Sequence, residues 1–150
     1  MTLLMSTFRT SREIPAPPEQ VFAAISDPQR LARWWGPAGF TNTFDVCEFQ
    51  PGGRWEFVMH GPDGRDYPNE SVFAEIEPPR QVVIDHVCAP KFRLTVTLDP
   101  SADGTTVTWL QVFESAEFAK SVEHIVTPAN EQNLDRLTAE VLRESAAPLR

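Results

Sequence analysis

The stretch that decides the fold is QVVIDHVCAPKFRLTVTLDPSADGTTVTWLQVF, residues 81–113. Three segments within it, 81–87, 92–98 and 106–113, are rich in β-branched and aromatic residues and largely alternate apolar with polar side chains. That alternation is typical of half-buried strands. Because DPSADG between the last two segments is turn chemistry, the stretch predicts consecutive antiparallel strands.

The same pattern extends towards the N-terminus. TFDVCEF at 43–49, RWEFVMH at 54–60 and NESVFAEI at 69–76 predict further strands, and TFRTSREI at 7–14 predicts a separate first strand. The short connections PGG, GPDG and EPPR contain the residues that tight turns require. The strands are therefore expected to form an antiparallel meander.

Two short helices are predicted between the first strand and the meander. The first begins near Pro18, because proline is tolerated in a first helical turn, and it carries an apolar stripe that includes Val21 and Ile25. Asp27 and Pro28 form an N-cap and first-turn pair for the second helix.

After Phe113 the apolar residues recur with the helical period. The pattern predicts a short piece carrying Phe118 and then a separate final helix, with Thr127 as the cap and Pro128 in its first turn. Leu134, Leu137 and Val141 form the apolar stripe of the final helix, and the opposite side carries the charged residues Glu131, Arg136, Glu140 and Arg143.

Composition limits the possible functions. The chain has 150 residues, which predicts one domain spanning 1–150, and its net charge of −8 disfavours nucleic acid as a partner. Cys47 and Cys88 lack metal or redox spacing, and the three histidines do not converge, so no metal site and no cofactor are predicted. No apolar run is long enough to span a bilayer and no leader is evident, which favours a cytoplasmic protein without membrane insertion.

The predicted order is one strand, two short helices, a meander and a terminal helix. This order predicts the α+β class, with one helix held by a sheet of about six to seven strands. The motifs that sharpen this prediction are VFAAISDPQRLARWWGPAGF (21–40), FQPGGRWEFVMHGPDG (49–64), EIEPPRQVVIDHV (75–87), GTTVTWLQVF (104–113) and NLDRLTAEV (133–141). Over a core of about 8–143 they resemble the START-like superfamily (SRPBCC, or Bet v-type helix-grip), in the branch of activator homologues of the heat-shock protein 90 ATPase.

That resemblance implies a helix-grip fold, in which the curved sheet wraps around the long C-terminal helix, and an apolar cavity between them. The chain departs from the family pattern at two places. ANEQNL at 129–134 lacks the Gly-Trp pair that the family often shows, and Ser71 lies where the family often has glycine. Both places border the expected cavity, so its shape is expected to differ from that of relatives.

Strand alternation predicts which side chains point inward. An inward set of large aromatic residues either packs into an ordinary core or leaves a cavity, and the pattern leaves both alternatives open. The residues predicted to line a cavity are Trp35, Trp55, Phe57, Met59, Phe73, Ile84, His86, Phe92, Leu94, Trp109, Gln111, Phe113, Asn130, Leu134 and Leu137.

Three of these inward residues are polar: His86, Gln111 and Asn130. An unpaired polar atom in an interior costs about 1–3 kcal/mol, so each needs a partner. Either they bond to one another or to buried water, or they anchor the polar end of an otherwise apolar ligand.

Three functions follow, in decreasing order of support. The first is binding of a small hydrophobic or aromatic molecule. The second is a cyclase- or hydrolase-like enzyme that uses His86 as acid or base, although no catalytic nucleophile is recognisable. The third, regulation of a chaperone ATPase, is least supported, because the chain shows no further N-terminal domain of the eukaryotic activator kind. Exposed strand edges make a homodimer plausible.

Overall fold

A computed structural model describes residues 6–146 of the chain, with side chains up to residue 143. The elements follow the order strand, two helices, six strands, helix. Their bounds are β1 Thr7–Ile14, α1 Pro18–Ser26, α2 Pro28–Trp34, β2 Thr41–Cys47, β3 Gly53–His60, β4 Asp66–Glu77, β5 Gln81–His86, β6 Phe92–Ser101, β7 Gly104–Phe113 and α3 Ala116–Ala146.

The strands form one antiparallel sheet of seven strands, in the order β1-β7-β6-β5-β4-β3-β2. Strands β2 to β7 are a meander, and β1 is added beside β7, with Thr7 opposite Val112 and Ile14 opposite Thr105. The sheet is open and curved, and α3 lies on its concave side. The predicted α+β helix-grip fold is confirmed.

The two short helices begin as predicted. The Asp27 side chain accepts a hydrogen bond from the Gln29 amide at 3.0 Å, which satisfies one free N–H at the start of α2. At the other end of this helix pair, the buried Trp34 indole donates to the Ala24 carbonyl at 2.9 Å. That bond ties α2 to the end of α1.

The prediction of two separate pieces after Phe113 is wrong. One helix runs from Ala116 to Ala146, and Pro128 lies inside it. A proline inside a helix costs about 3 kcal/mol, because it removes one backbone hydrogen bond and crowds the preceding turn. Packing on both sides of Pro128 offsets that cost, since Ala119 and Leu134 are both completely buried.

The core lies between α3 and the sheet. Leu134, Leu137 and Val141, the predicted stripe of α3, are all buried. They belong to one apolar cluster with the inward residues of the central strands and with the buried residues of α1 and α2. Inward and outward residues of β7 alternate from Thr105 to Phe113, as the sequence pattern predicts.

One charged residue on the side of α3 opposite the apolar stripe is buried. Glu140 is only 6% exposed. Its carboxylate accepts hydrogen bonds from Arg30 at 3.0 Å, Arg33 at 2.9 Å and Arg143 at 3.2 Å. The two short helices α1 and α2 thus cover a second side of α3, which the apolar stripe does not reveal.

Glu140 is expected to make stability depend on acidity. Burial raises the pKa of this carboxyl group, but the hydrogen bonds from Arg33, Arg30 and Arg143 outweigh it and lower the pKa to about 2. A carboxyl group with a depressed pKa in the folded state stabilises the fold above its unfolded pKa. This contribution should therefore be lost as the pH falls from about 4.5 to about 2.

We predict that Glu140→Gln lowers the free energy of unfolding at pH 7 by about 3 kcal/mol, because it leaves the arginine charges uncompensated. It should also flatten the acid side of the stability profile, as measured by urea unfolding at several pH values. Glu77→Gln, which removes an exposed pair with Arg80, is the control and should change stability by less than about 0.5 kcal/mol. Equal effects of the two variants would contradict this assignment.

Candidate functional site

A cavity of about 490 Å³ lies between the concave side of the sheet and α3. Side chains from β3 to β7, the segment after α2 and one face of α3 line it. The predicted site residues that line it are Trp35, Phe57, Met59, Ile84, His86, Phe92, Leu94, Trp109, Gln111 and Asn130.

The other predicted site residues lie in the packed core beside the cavity: Trp55, Phe73, Phe113, Leu134 and Leu137. The Trp55 ring stacks on the Phe57 ring at 4.3 Å between centroids and on the Phe73 ring at 5.3 Å. These rings fill one part of the concave side. The concave side is therefore solid around Trp55 and hollow towards the end of the sheet where β5 meets β6.

Sequence reasoning missed part of the wall. Tyr67, Asn69 and Ser71 of β4 all line the cavity and lie on the same face as Phe73. Alternation continued from Phe73 towards the start of β4 predicts this, since residues two apart point to the same side. Asn133 of α3 lines it too.

The segment of residues 35–40 forms one side of the cavity mouth, with Trp35, Gly36, Pro37 and Phe40 in the lining. Gly36 has a φ of 97°, a left-handed backbone conformation that residues with a Cβ rarely adopt, so glycine is favoured at this position. Asn133 holds the start of the segment. Its Oδ1 accepts from the Gly36 amide at 3.3 Å, and its Nδ2 donates to the Trp34 carbonyl at 3.1 Å.

Arg136 holds the rest of this segment. Its guanidinium donates to the backbone carbonyls of Arg33, Trp35, Gly36, Pro37 and Phe40, at 2.7–3.1 Å. Burial lowers the pKa of this guanidinium. Arg136 is thus a second charged residue on the side of α3 opposite the apolar stripe that binds another element, and it positions one wall of the cavity mouth.

We predict that Arg136→Lys destabilises the protein by about 3 kcal/mol, because an ammonium group cannot reach several diverging carbonyls at once. Amide hydrogen exchange of residues 36–40 should rise more than that of the sheet. Arg54→Lys, which alters an exposed pair with Glu56, is the matched control. Unchanged exchange in residues 36–40 would contradict the positioning role.

His86 borders the cavity, and both of its ring nitrogens have protein partners. Nδ1 lies 2.7 Å from the Pro90 carbonyl oxygen and Nε2 lies 2.6 Å from Asn69 Oδ1. Both partners are oxygens, so the ring serves both only when both nitrogens carry protons. Burial opposes that charge and lowers the pKa of His86, although backbone hydrogen bonds raise it in part.

We predict that the pKa of His86 lies below its ordinary value of about 6.5, because burial disfavours the charged ring. The measurement is an NMR titration of its ring resonances. Asn69→Ala removes the oxygen beside Nε2 and should lower the pKa further, because the charged form loses an acceptor. A His86 pKa above 6.5 in the native protein would mean that the two oxygens outweigh burial.

Gln111 and Asn130 face each other across the cavity wall, and Asn130 Nδ2 donates to Gln111 Oε1 at 3.0 Å. The pair joins β7 to α3. Two of the three inward polar residues thus bond to each other, which is one of the two alternatives that the sequence left open.

A larger groove of about 690 Å³ lies at the end of β5 to β7. Its lining includes the charged residues Asp85, Lys91, Arg93 and Glu114. Asp85 and Arg93 are already joined by hydrogen bonds of 2.7 and 2.9 Å. The cavity of about 490 Å³ has more aromatic side chains in its lining than this groove, so it suits an apolar molecule better.

Over residues 6–146, no group of three or more His, Cys, Asp or Glu side chains is placed to hold a metal ion. Within the same range, no helix has the length and apolar character needed to cross a membrane.

Comparison with known proteins gave one family. The model of the family described as activator of Hsp90 ATPase homolog 1-like protein matches residues 15–141. No curated protein matches the sequence significantly.

Solved structures share the whole fold. A protein from Nitrosomonas europaea is 20% identical with a TM-score of 0.86, and the match covers 95% of this chain and 98% of that one. A protein from Arthrobacter aurescens is 30% identical with a TM-score of 0.83, covering 98% and 91%. The AHSA1 protein from Silicibacter pomeroyi is 23% identical with a TM-score of 0.74, covering 92% and 99%.

Proposed function

Since the chain belongs to the family of activator of Hsp90 ATPase homolog 1-like proteins, with its fold intact, we propose that it binds a small hydrophobic or aromatic molecule in the cavity between sheet and α3. The observation that carries this proposal is the cavity itself. About 490 Å³ of space is lined by apolar and aromatic side chains from several strands, including Phe57, Phe92 and Trp109. That volume lies within the usual range of small-molecule sites.

The way the wall is held supports a permanent cavity. Arg136 and Asn133 bind the backbone of residues 33–40 through hydrogen bonds from α3. Behind the cavity-lining Phe57, the stacked rings of Trp55 and Phe73 support the wall from the packed core. A site organised before binding loses less entropy when a ligand enters.

Acid–base catalysis in the same cavity has less support. The ring nitrogens of His86 lie within 2.7 Å of protein oxygens, so neither is directed at a substrate. Ser71 is opposite His86 in the β4–β5 register, yet among residues 6–146 the two side chains form no hydrogen bond. A serine activated by a histidine requires that bond. Regulation of a chaperone, which the family description suggests, has no corresponding feature in the cavity.

We predict that biphenyl binds and raises the melting temperature of the protein. At a free concentration of 100 times its Kd it should stabilise the folded state by about 2.7 kcal/mol. Because Trp35 and Trp109 line the cavity, their fluorescence should change on binding. Differential scanning fluorimetry and a fluorescence titration check both expectations.

The cavity is tested by filling it. Ile84→Phe places a larger ring in the wall and should weaken biphenyl binding at least tenfold. Val58→Phe, the matched control, puts the same ring on the outward face of β3 and should leave affinity within about twofold. If biphenyl fails to bind, or if both variants weaken it equally, the proposed function is wrong.

A further inference from the structure

Besides the Trp109 indole and the half-buried Asn130, whose Oδ1 is also unpaired, two buried polar side chains of the cavity wall have hydrogen-bonding groups with no partner among the described residues. Ser71 on β4 is 4% exposed and Gln111 on β7 is 8% exposed, and both line the cavity. Within residues 6–146 the Ser71 hydroxyl makes no hydrogen bond. Gln111 uses only Oε1, which accepts from Asn130, and its Nε2 group has no partner in the same part of the chain.

These groups reach the open space of the cavity. In the described part of the chain, three side-chain atoms have neither a hydrogen-bond partner nor accessible surface: Asn42 Oδ1, Trp55 Nε1 and Trp109 Nε1. Ser71 Oγ and Gln111 Nε2 are not among them. Because both residues are more than nine-tenths buried and line the cavity, the surface left to these atoms is cavity surface.

The two groups lie on opposite sides of the cavity. Ser71 pairs with His86, His86 with Phe92 and Phe92 with Phe113, so three strand-to-strand steps separate β4 from β7. At 4.7–4.9 Å a step this is roughly 14 Å around the sheet, and less across its concave side. Gln111 lies on the same face of β7 as Phe113. A single ligand that reaches both groups therefore extends across four strands of the sheet, from β4 to β7.

The chemistry of the two groups defines what each end of a ligand must offer. Gln111 Oε1 is already used, so Nε2 is left to donate and needs an acceptor on the ligand. The Ser71 hydroxyl can donate or accept. A hydroxyl, carbonyl or ether oxygen meets either requirement.

Charge is excluded by the same wall. Over residues 6–146, Asp66 is the only Asp, Glu, Lys or Arg in the lining, and its carboxylate lies 2.7 Å from His60 Nδ1. Nothing in the lining is placed to neutralise an ionic ligand. An unpaired charge in an apolar site is strongly unfavourable.

We propose that the ligand is an uncharged, elongated aromatic molecule with a hydrogen-bonding oxygen at each end, one bound by Ser71 and the other by Gln111 Nε2. The proposal rests on the proposed function and adds the class of ligand. It also makes Ser71 and Gln111 the residues that determine specificity, whereas His86 is occupied by Pro90 and Asn69.

The test compares four probes of one shape: biphenyl, 4-hydroxybiphenyl, 4,4′-dihydroxybiphenyl and biphenyl-4-carboxylate. We predict that each hydroxyl raises the affinity of the native protein about fivefold, as one net hydrogen bond allows. The carboxylate should bind at least tenfold more weakly than 4-hydroxybiphenyl. Fluorescence titration at pH 7 gives the four Kd values.

Variants then assign each end. Ser71→Ala and Gln111→Met should each remove about one fivefold step from the preference for the diol, and the double variant should bind all three neutral probes about equally. Ser11→Ala and Gln50→Met, at exposed positions, are matched controls. Asn130→Ala removes the contact with Gln111 Oε1 but leaves Nε2 in place, so the preference for the diol should survive.

The outcomes separate the two proposals. If no probe binds, the proposed function fails, and this inference fails with it. If biphenyl binds but hydroxyl groups add nothing, or if the preference persists in the double variant, only this inference is overturned. Should Gln111→Met not fold, the NMR shift of the Gln111 side-chain amide decides: it must move with the diol and not with biphenyl.

Discussion

Leu134, Leu137 and Val141 of α3 are buried against the concave side of the sheet, and the position of every other part depends on that contact. It fixes the helix at its C-terminal half, where the sheet is filled by aromatic rings. Towards Pro128 the polar residues Asn130 and Asn133 replace the apolar stripe, and the space between helix and sheet opens. The transition from apolar to polar residues along α3 therefore determines where the core ends and the cavity begins.

The short helices α1 and α2 have a second role besides covering the core. Arg30 and Arg33, both on α2, form ion pairs with the buried carboxylate of Glu140. Arg136 of α3 donates hydrogen bonds to backbone carbonyl groups that follow α2. Charged groups thus cross the interface in both directions. Because the Glu140 cluster is about one turn from Arg136 on α3, the same contacts that attach the helices also hold the cavity mouth.

The cavity combines an apolar wall with few polar groups, most of which already have partners. His86 contacts Pro90 and Asn69, Asn133 contacts Gly36 and Trp34, and Asn130 contacts Gln111. Polar groups that are satisfied by the protein stabilise the wall and discriminate little between ligands. Ser71 Oγ and Gln111 Nε2 are among the unpaired groups of this wall, and these are the two that we propose distinguish one apolar molecule from another.

The sequence by itself determined the class of the fold and the inward face of each strand, because both depend on short-range periodicity. Alternation correctly placed Trp55, Ile84, Leu94 and Trp109 inside, and it needed only extension along β4 to include Asn69 and Ser71. Three features depend on tertiary contacts and could not be predicted from local patterns. The helix α3 continues through Pro128, and its charged residues Glu140 and Arg136 bind other elements. The aromatic residues pack solidly around Trp55 but leave a cavity beside His86. Each of these outcomes depends on groups far apart in the chain, whose volumes and charges meet only after folding.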